Sequence, residues 1–166
     1  MTRIPTRKAV LMRSDINREP FAQRLHERLG FERAIGALYD RIIGLTGDPA
    51  LNERLRTFRR EEKLHEEMLE SLLRQLGRDP ALAPSLELLE MGGSLHRLLQ
   101  GLSDAELLDV GGWEHLCELG KAVDLDQEWL GAFRMAHRQE KEHLHVVREA
   151  LLRYDREQLE ERPLTG

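Results

Sequence analysis

Apolar residues recur along most of this chain at three- and four-residue steps, the spacing that puts side chains on one face of an α-helix. Between Phe21 and Thr46, the positions Leu25, Leu29, Glu32, Ile35, Tyr39 and Ile43 form such a stripe, and Gly47-Asp48-Pro49 ends it. A second helix is predicted from about Ala50 to Leu76, with Leu51, Leu55, Phe58, Glu62, His65, Leu69 and Leu72 inward. Gly77 stops it, with Pro80 and Pro84 beyond. A last helix is predicted from about Asp126 to Tyr154, with Trp129, Phe133, Ala136, Glu140, His143, Val147 and Leu151 inward. No alternating strand pattern is present, so the expected fold class is all-α.

The third helix has two competing starts. Ser103-Asp104-Ala105-Glu106 reads as a capping box, which would reduce Glu106 to a cap. Ser94, just after Gly92-Gly93, begins a longer stripe through Leu95, Leu98, Leu102, Ala105 and Trp113. The Ser94 start is preferred because it yields four helices of similar length, as a bundle favours. The linker from about Arg78 to Gly93 reaches roughly 50 Å when extended, enough to return along a helix of about 40 Å. The expectation is a four-helix bundle over residues 20–155, made of two antiparallel hairpins joined by a long crossover. A basic N-terminal arm over residues 1–19 precedes it, and a charged tail over residues 156–166 follows.

Composition narrows the function classes. With 166 residues, 33 % of them charged and 40 % hydrophobic, the chain fits one globular domain with a real core. Its apolar runs are short and broken by charge, and its first 20 residues have no continuous apolar segment, so a cytoplasmic protein is expected. The single cysteine, Cys117, excludes an internal disulfide and a four-thiolate site within one chain. A net charge of -5 argues against a general nucleic-acid role, and Arg3, Arg7, Lys8 and Arg13 read as a solvated terminus.

The candidate chemistry lies in Glu62-x-x-His65 and Glu140-x-x-His143. Three residues along a helix put each Glu and His on one face about a turn apart, which is ligand geometry for a metal. In a chain so rich in Glu, about one such motif arises by accident, and Glu142 with His145, on a polar face beside Arg138 and Glu149, reads as that accident. Position gives the other two their weight, because the two hairpins overlay. Glu32 is followed by Tyr39 and Asp40 as Glu106 is followed by Trp113 and Glu114. Glu32 and Glu62 lie about equally far from their turn, as Glu106 and Glu140 do from theirs. Glu114 would sit about 9 Å nearer the turn than Glu140, and Asp109 lies between, so three residues compete as the third-helix ligand.

These positions resemble the ferritin-like dimetal-carboxylate proteins, which include bacterioferritins, rubrerythrins and manganese catalases. Their pattern is Glu on helix 1, Glu-x-x-His on helix 2, Glu on helix 3 and Glu-x-x-His on helix 4, all facing the bundle core. The resemblance implies a metal site of Glu32, Glu62, His65, Glu106, Glu140 and His143. The stretch FERAIGALYD is also similar to a ferritin first helix. Asp15 to Arg18 and Gly112 to Glu114 resemble motifs of bacterial ferritin-like proteins of no established activity.

Four carboxylates in an apolar core repel one another and lose hydration, and two divalent cations would supply the counter-charge. By the resemblance, Glu62 and Glu140 would bridge ions about 3.5 to 4 Å apart, while His65 and His143 give each ion one nitrogen. Oxygen and imidazole donors without thiolates suit iron, with manganese the alternative. Three functions follow: redox chemistry with oxygen or peroxide, a non-enzymatic structural or partner-binding bundle with a mononuclear or empty site, and iron storage. The second is motivated by Gly111-Gly112, a pair expected to bend the helix that carries Glu106. Any reductant would come from outside the chain, and a homodimer is the default assembly. Tyr39, Trp113 and Cys117 read as core residues, and His26, His96, His115 and His137 receive no role.

Overall fold

The computed structural model describes residues 18–86 and 93–160. Among them α1 spans Arg18–Ile43, α2 Pro49–Gln75, α3 Leu95–Ala122 and α4 Gln127–Glu160, with one 3-10 turn at Pro80–Leu82. The basic arm up to residue 17, most of the Asp15 to Arg18 motif, residues 87–92 of the crossover and residues 161–166 of the tail lie outside the described residues.

Local chemistry explains the boundaries. Asp48 caps α2, its Oδ1 accepting from the N–H groups of Ala50 and Leu51 at 2.9 and 3.2 Å, while Pro49 occupies the first helical position. Gly77, at φ 72°, closes the far end, where Arg78 N–H donates to Leu73 C=O. Ser94 is the residue before α3, as the longer stripe requires, so Ser103 and Glu106 both lie inside a continuous helix. α1 stops at Ile43, short of the expected Thr46, because Asn52 Nδ2 captures the Ile43 carbonyl at 2.9 Å and the chain turns at Gly44. α4 runs past the expected Tyr154 to Glu160. Its added turns are tied to the start of α3: His96 Nε2 meets Asp155 Oδ1 at 2.7 Å and its ring stacks on Tyr154.

The architecture is an all-α four-helix bundle. α1 packs on α2 and α3 on α4 as antiparallel hairpins. Side-chain pairing fixes the rest: Arg28 meets Asp109 and Tyr39 meets Glu106, so α3 runs antiparallel to α1 and therefore parallel to α2. The crossover makes that return possible. Its Pro80–Leu82 turn packs on α1 and α2, and Pro84 closes over Gly30, where a Cβ would overlap the Pro84 carbonyl.

The core is split into two apolar halves. Leu25, Leu29, Leu69, Leu72, Trp113 and Phe133 belong to one, while Ile35, Ile42, Leu55, Phe58, Leu102 and Val147 belong to the other. On every helix the acidic and histidine positions fall between these two sets. Apolar packing on both sides thus surrounds a polar layer and withholds water from it.

Candidate metal centre

Each of the four helices contributes one buried glutamate to that layer. Glu32, Glu62, Glu106 and Glu140 are fully buried, as are His65 and His143. Two groups of donor atoms form, each with all its atoms within 4.8 Å of one another: Glu32, Glu62, His65 and Glu140, and Glu62, Glu106, Glu140 and His143. Glu62 and Glu140 belong to both. The helical offset of three residues brings each histidine level with the facing helix, so His65 Nδ1 lies 2.7 Å from Glu140 Oε1 and His143 Nδ1 lies 3.0 Å from Glu62 Oε1.

The chemistry of the donor set fits cations. Glu32 Oε2, Glu62 Oε2 and Glu106 Oε2 are buried without a hydrogen-bond partner among the described residues, and the two Glu140 oxygens meet only the Nδ1 atoms of His65 and His143, at 2.7 and 3.0 Å. Groups buried in this state are costly unless something satisfies them. Protons do part of that work in the metal-free chain. Burial pulls the His65 and His143 imidazoles down, but Glu140 and the neighbouring carboxylates outweigh it and hold both well above 6.5. Burial and the charge of Glu140 push Glu62 and Glu106 well above 4.5. Against the same burial, Arg28 and His65 hold Glu32 below 4.5, and the two imidazoles hold Glu140 below it.

The outer nitrogens of both histidines are engaged. His143 Nε2 donates to Glu61 Oε2 at 2.8 Å, and His65 Nε2 donates to Gln139 Oε1 at 3.1 Å. Because those oxygens accept, Nε2 of each ring carries a proton, and Nδ1 is turned toward the glutamates, to which the raised imidazoles donate a second proton in the metal-free chain. Phe58 lies on the His143 ring at 4.2 Å between centroids, and Trp113 meets His65 edge-on at 5.3 Å. Tyr39 is buried in the core as expected and also donates its hydroxyl to Glu106 Oε1 at 2.6 Å.

Of the three third-helix candidates, α3 turns Glu106 into the donor groups, exposes Glu114, and buries Asp109 one turn away. Asp109 pairs with Arg28, whose Nε also donates to Glu32 at 2.9 Å. Gly112 makes that pair possible, because a Cβ there would overlap Arg28 Nη1 and sit 3.1 Å from its Cζ. The glycine pair thus leaves α3 continuous, with Gly112 making room for a buried arginine. Glu142 and His145 are exposed, and Cys117 is buried. Arg28, Glu61 and Gln139 escape a search for ligand motifs. Arg28 precedes Glu32 by one helical turn, and Glu61 and Gln139 stand directly before Glu62 and Glu140, so their positions did carry a signal.

No protein-family model matches the chain, and no curated protein matches it. Solved structures do. A crystal structure described as ferritin like, diiron-carboxylate proteins from Bacillus anthracis str. Ames aligns with a TM-score of 0.74 at 16 % identity, covering 83 % of this chain and 99 % of that one. The fold is ferritin-like. An X-ray structure of Dps from Thermosynechococcus elongatus aligns with a TM-score of 0.63 at 14 % identity, over 82 % of this chain and 92 % of that one. At these identities the likeness is one of fold, and what this ferritin-like bundle does must be argued from its own polar layer.

Proposed function

We propose that the chain binds two divalent metal ions between its four helices and supports redox chemistry with oxygen or peroxide. The observation that carries the reading is that two donor groups, each with three carboxylates and one imidazole, share Glu62 and Glu140. Glu32 and His65 would complete one ion's ligands, and Glu106 and His143 the other's. Two divalent cations balance the four glutamates, while Arg28 and Asp109 balance each other. The donor set suits iron, with manganese as the alternative, and the diiron-carboxylate description of the Bacillus anthracis neighbour supports iron. Such ions, when bound, supply electrons to a small oxidant. The chain's own residues hold the carboxylates in place, turn both Nδ1 atoms inward and exclude bulk water.

The reading is tested by loading metal-free protein with ferrous iron anaerobically and then adding oxygen or peroxide. A transient oxidised absorbance, with about two metals per chain, is expected. Failure to bind ferrous or manganous ions would remove the reading, and binding without any reaction would leave a metal-stabilised structural bundle.

A further inference from the structure

Behind the donor atoms, the two halves of the centre use equivalent positions but unlike residues. Glu61 directly precedes Glu62 on α2, and Gln139 directly precedes Glu140 on α4. Each reaches across to the histidine of the facing helix, Glu61 to His143 and Gln139 to His65. Both contacts engage the outer Nε2, yet only one of the two backing groups is a carboxylate. A carboxylate behind a ligand imidazole makes it more electron-rich, whereas a neutral amide orients it without adding charge.

The opposite flank reinforces the difference. Glu32 is the carboxylate found only in the His65 half, and it accepts from the buried guanidinium of Arg28. Its counterpart in the His143 half, Glu106, accepts from the neutral hydroxyl of Tyr39. A full positive charge competes with a cation for the Glu32 oxygens more strongly than a phenol competes for those of Glu106. Asp109 offsets part of the Arg28 charge but leaves its Nε on Glu32.

Resting on the reading that the centre holds two divalent ions, we propose that its halves are unequal by construction. The His143 half takes the first ion and the His65 half the second, with Glu61 and Gln139 as positioning residues that set the order. The inequality suits stepwise loading, in which a tightly held ion organises Glu62 and Glu140 for its more readily exchanged neighbour.

The test is a titration of the metal-free chain with manganous ion alone, followed by calorimetry and by the electron paramagnetic resonance of the bound ion. Two steps of one ion per chain are expected, separated by about tenfold or more in affinity. His143→Ala should remove the tighter step and His65→Ala the weaker. Glu61→Gln should weaken the first step about tenfold, and Gln139→Glu should tighten the second by a similar factor. The exchange Glu61→Gln with Gln139→Glu should reverse the order, so that His65→Ala now removes the tighter step. Glu61 is partly exposed, which makes its variant a mild one, and the Gln139→Glu gain of affinity is a result that damaged folding would not mimic. Two equal steps, or an order that the exchange leaves unaltered, would overturn this inference while sparing the two-metal reading. Absence of binding by the native chain would instead remove that reading.

Discussion

The guanidinium of Arg28 occupies the volume that any side chain at position 112 would need, so Gly112 on α3 and Arg28 on α1 are matched across the bundle. This relationship reverses the usual expectation for a glycine inside a helix. Gly111 has open space around its missing Cβ, and Gly111→Ala should stabilise the fold by up to about 1 kcal/mol through helix propensity. Gly112→Ala should destabilise it by about 1 to 3 kcal/mol, since overpacking forces Arg28 away from Glu32 and Asp109. Paired denaturant melts of the two variants check this, and equal effects at the two positions would contradict it.

The donor groups predict a graded loss of metal. Glu62 and Glu140 stand in both groups, whereas Glu32 and Glu106 each stand in one. Glu62→Gln or Glu140→Gln should therefore take the metal content of dialysed protein toward zero, while Glu32→Gln or Glu106→Gln should leave about half. Metal analysis beside a circular dichroism spectrum separates loss of ligands from loss of fold.

The acid–base state of the metal-free chain predicts how its stability moves with pH. His65 and His143 are raised above 6.5, so their stabilising contribution is complete below that pH and is lost as pH rises through their folded values. Glu62 and Glu106 are raised above 4.5, so the cost of ionising them in the fold appears as pH rises past that value. Both effects have one sign, and the Tm of metal-free protein should fall as pH rises from about 4.5 past 6.5. Glu32 and Glu140, held below 4.5, act in the opposite sense as pH falls below that value. Metal loading should flatten the alkaline fall and release protons, which calorimetry in buffers of different ionisation enthalpy measures.

Tyr39 connects the apolar half-core to the centre. Tyr39→Phe keeps the ring against Phe58 but leaves the buried Glu106 Oε1 without its donor, and should cost the metal-free protein about 1 to 3 kcal/mol. Metal binding should persist and recover part of that stability, because a cation can satisfy the freed oxygen. A variant whose melting is unchanged without metal would show that the hydroxyl bond contributes nothing.

Much of this was readable in one dimension. The three-and-four spacing marked four helices because a helix that buries one face needs that period. Ser94 emerged as the start of α3 because the stripe ran unbroken through Ser103, even though a capping box there was locally plausible. Ile43 and Glu160 were harder to foresee, since Asn52 ends α1 and the contacts of His96 with Tyr154 and Asp155 support the end of α4. Such contacts join residues far apart in the chain and leave no mark on local periodicity.

The sequence by itself determined that two Glu-x-x-His pairs share a helical face within overlaying hairpins, because periodicity and motif spacing are properties of neighbours along the chain. Only the tertiary structure decided that Glu106 faces the shared centre while Asp109 answers Arg28 and Glu114 meets solvent. It also decided that Gly112 serves an arginine on another helix, and that Glu61 and Gln139 back opposite histidines. The rotation and level of α3 against its neighbours made that choice. A shift of less than one helical turn exchanges which carboxylate is buried, and the packing of the two apolar half-cores sets that shift.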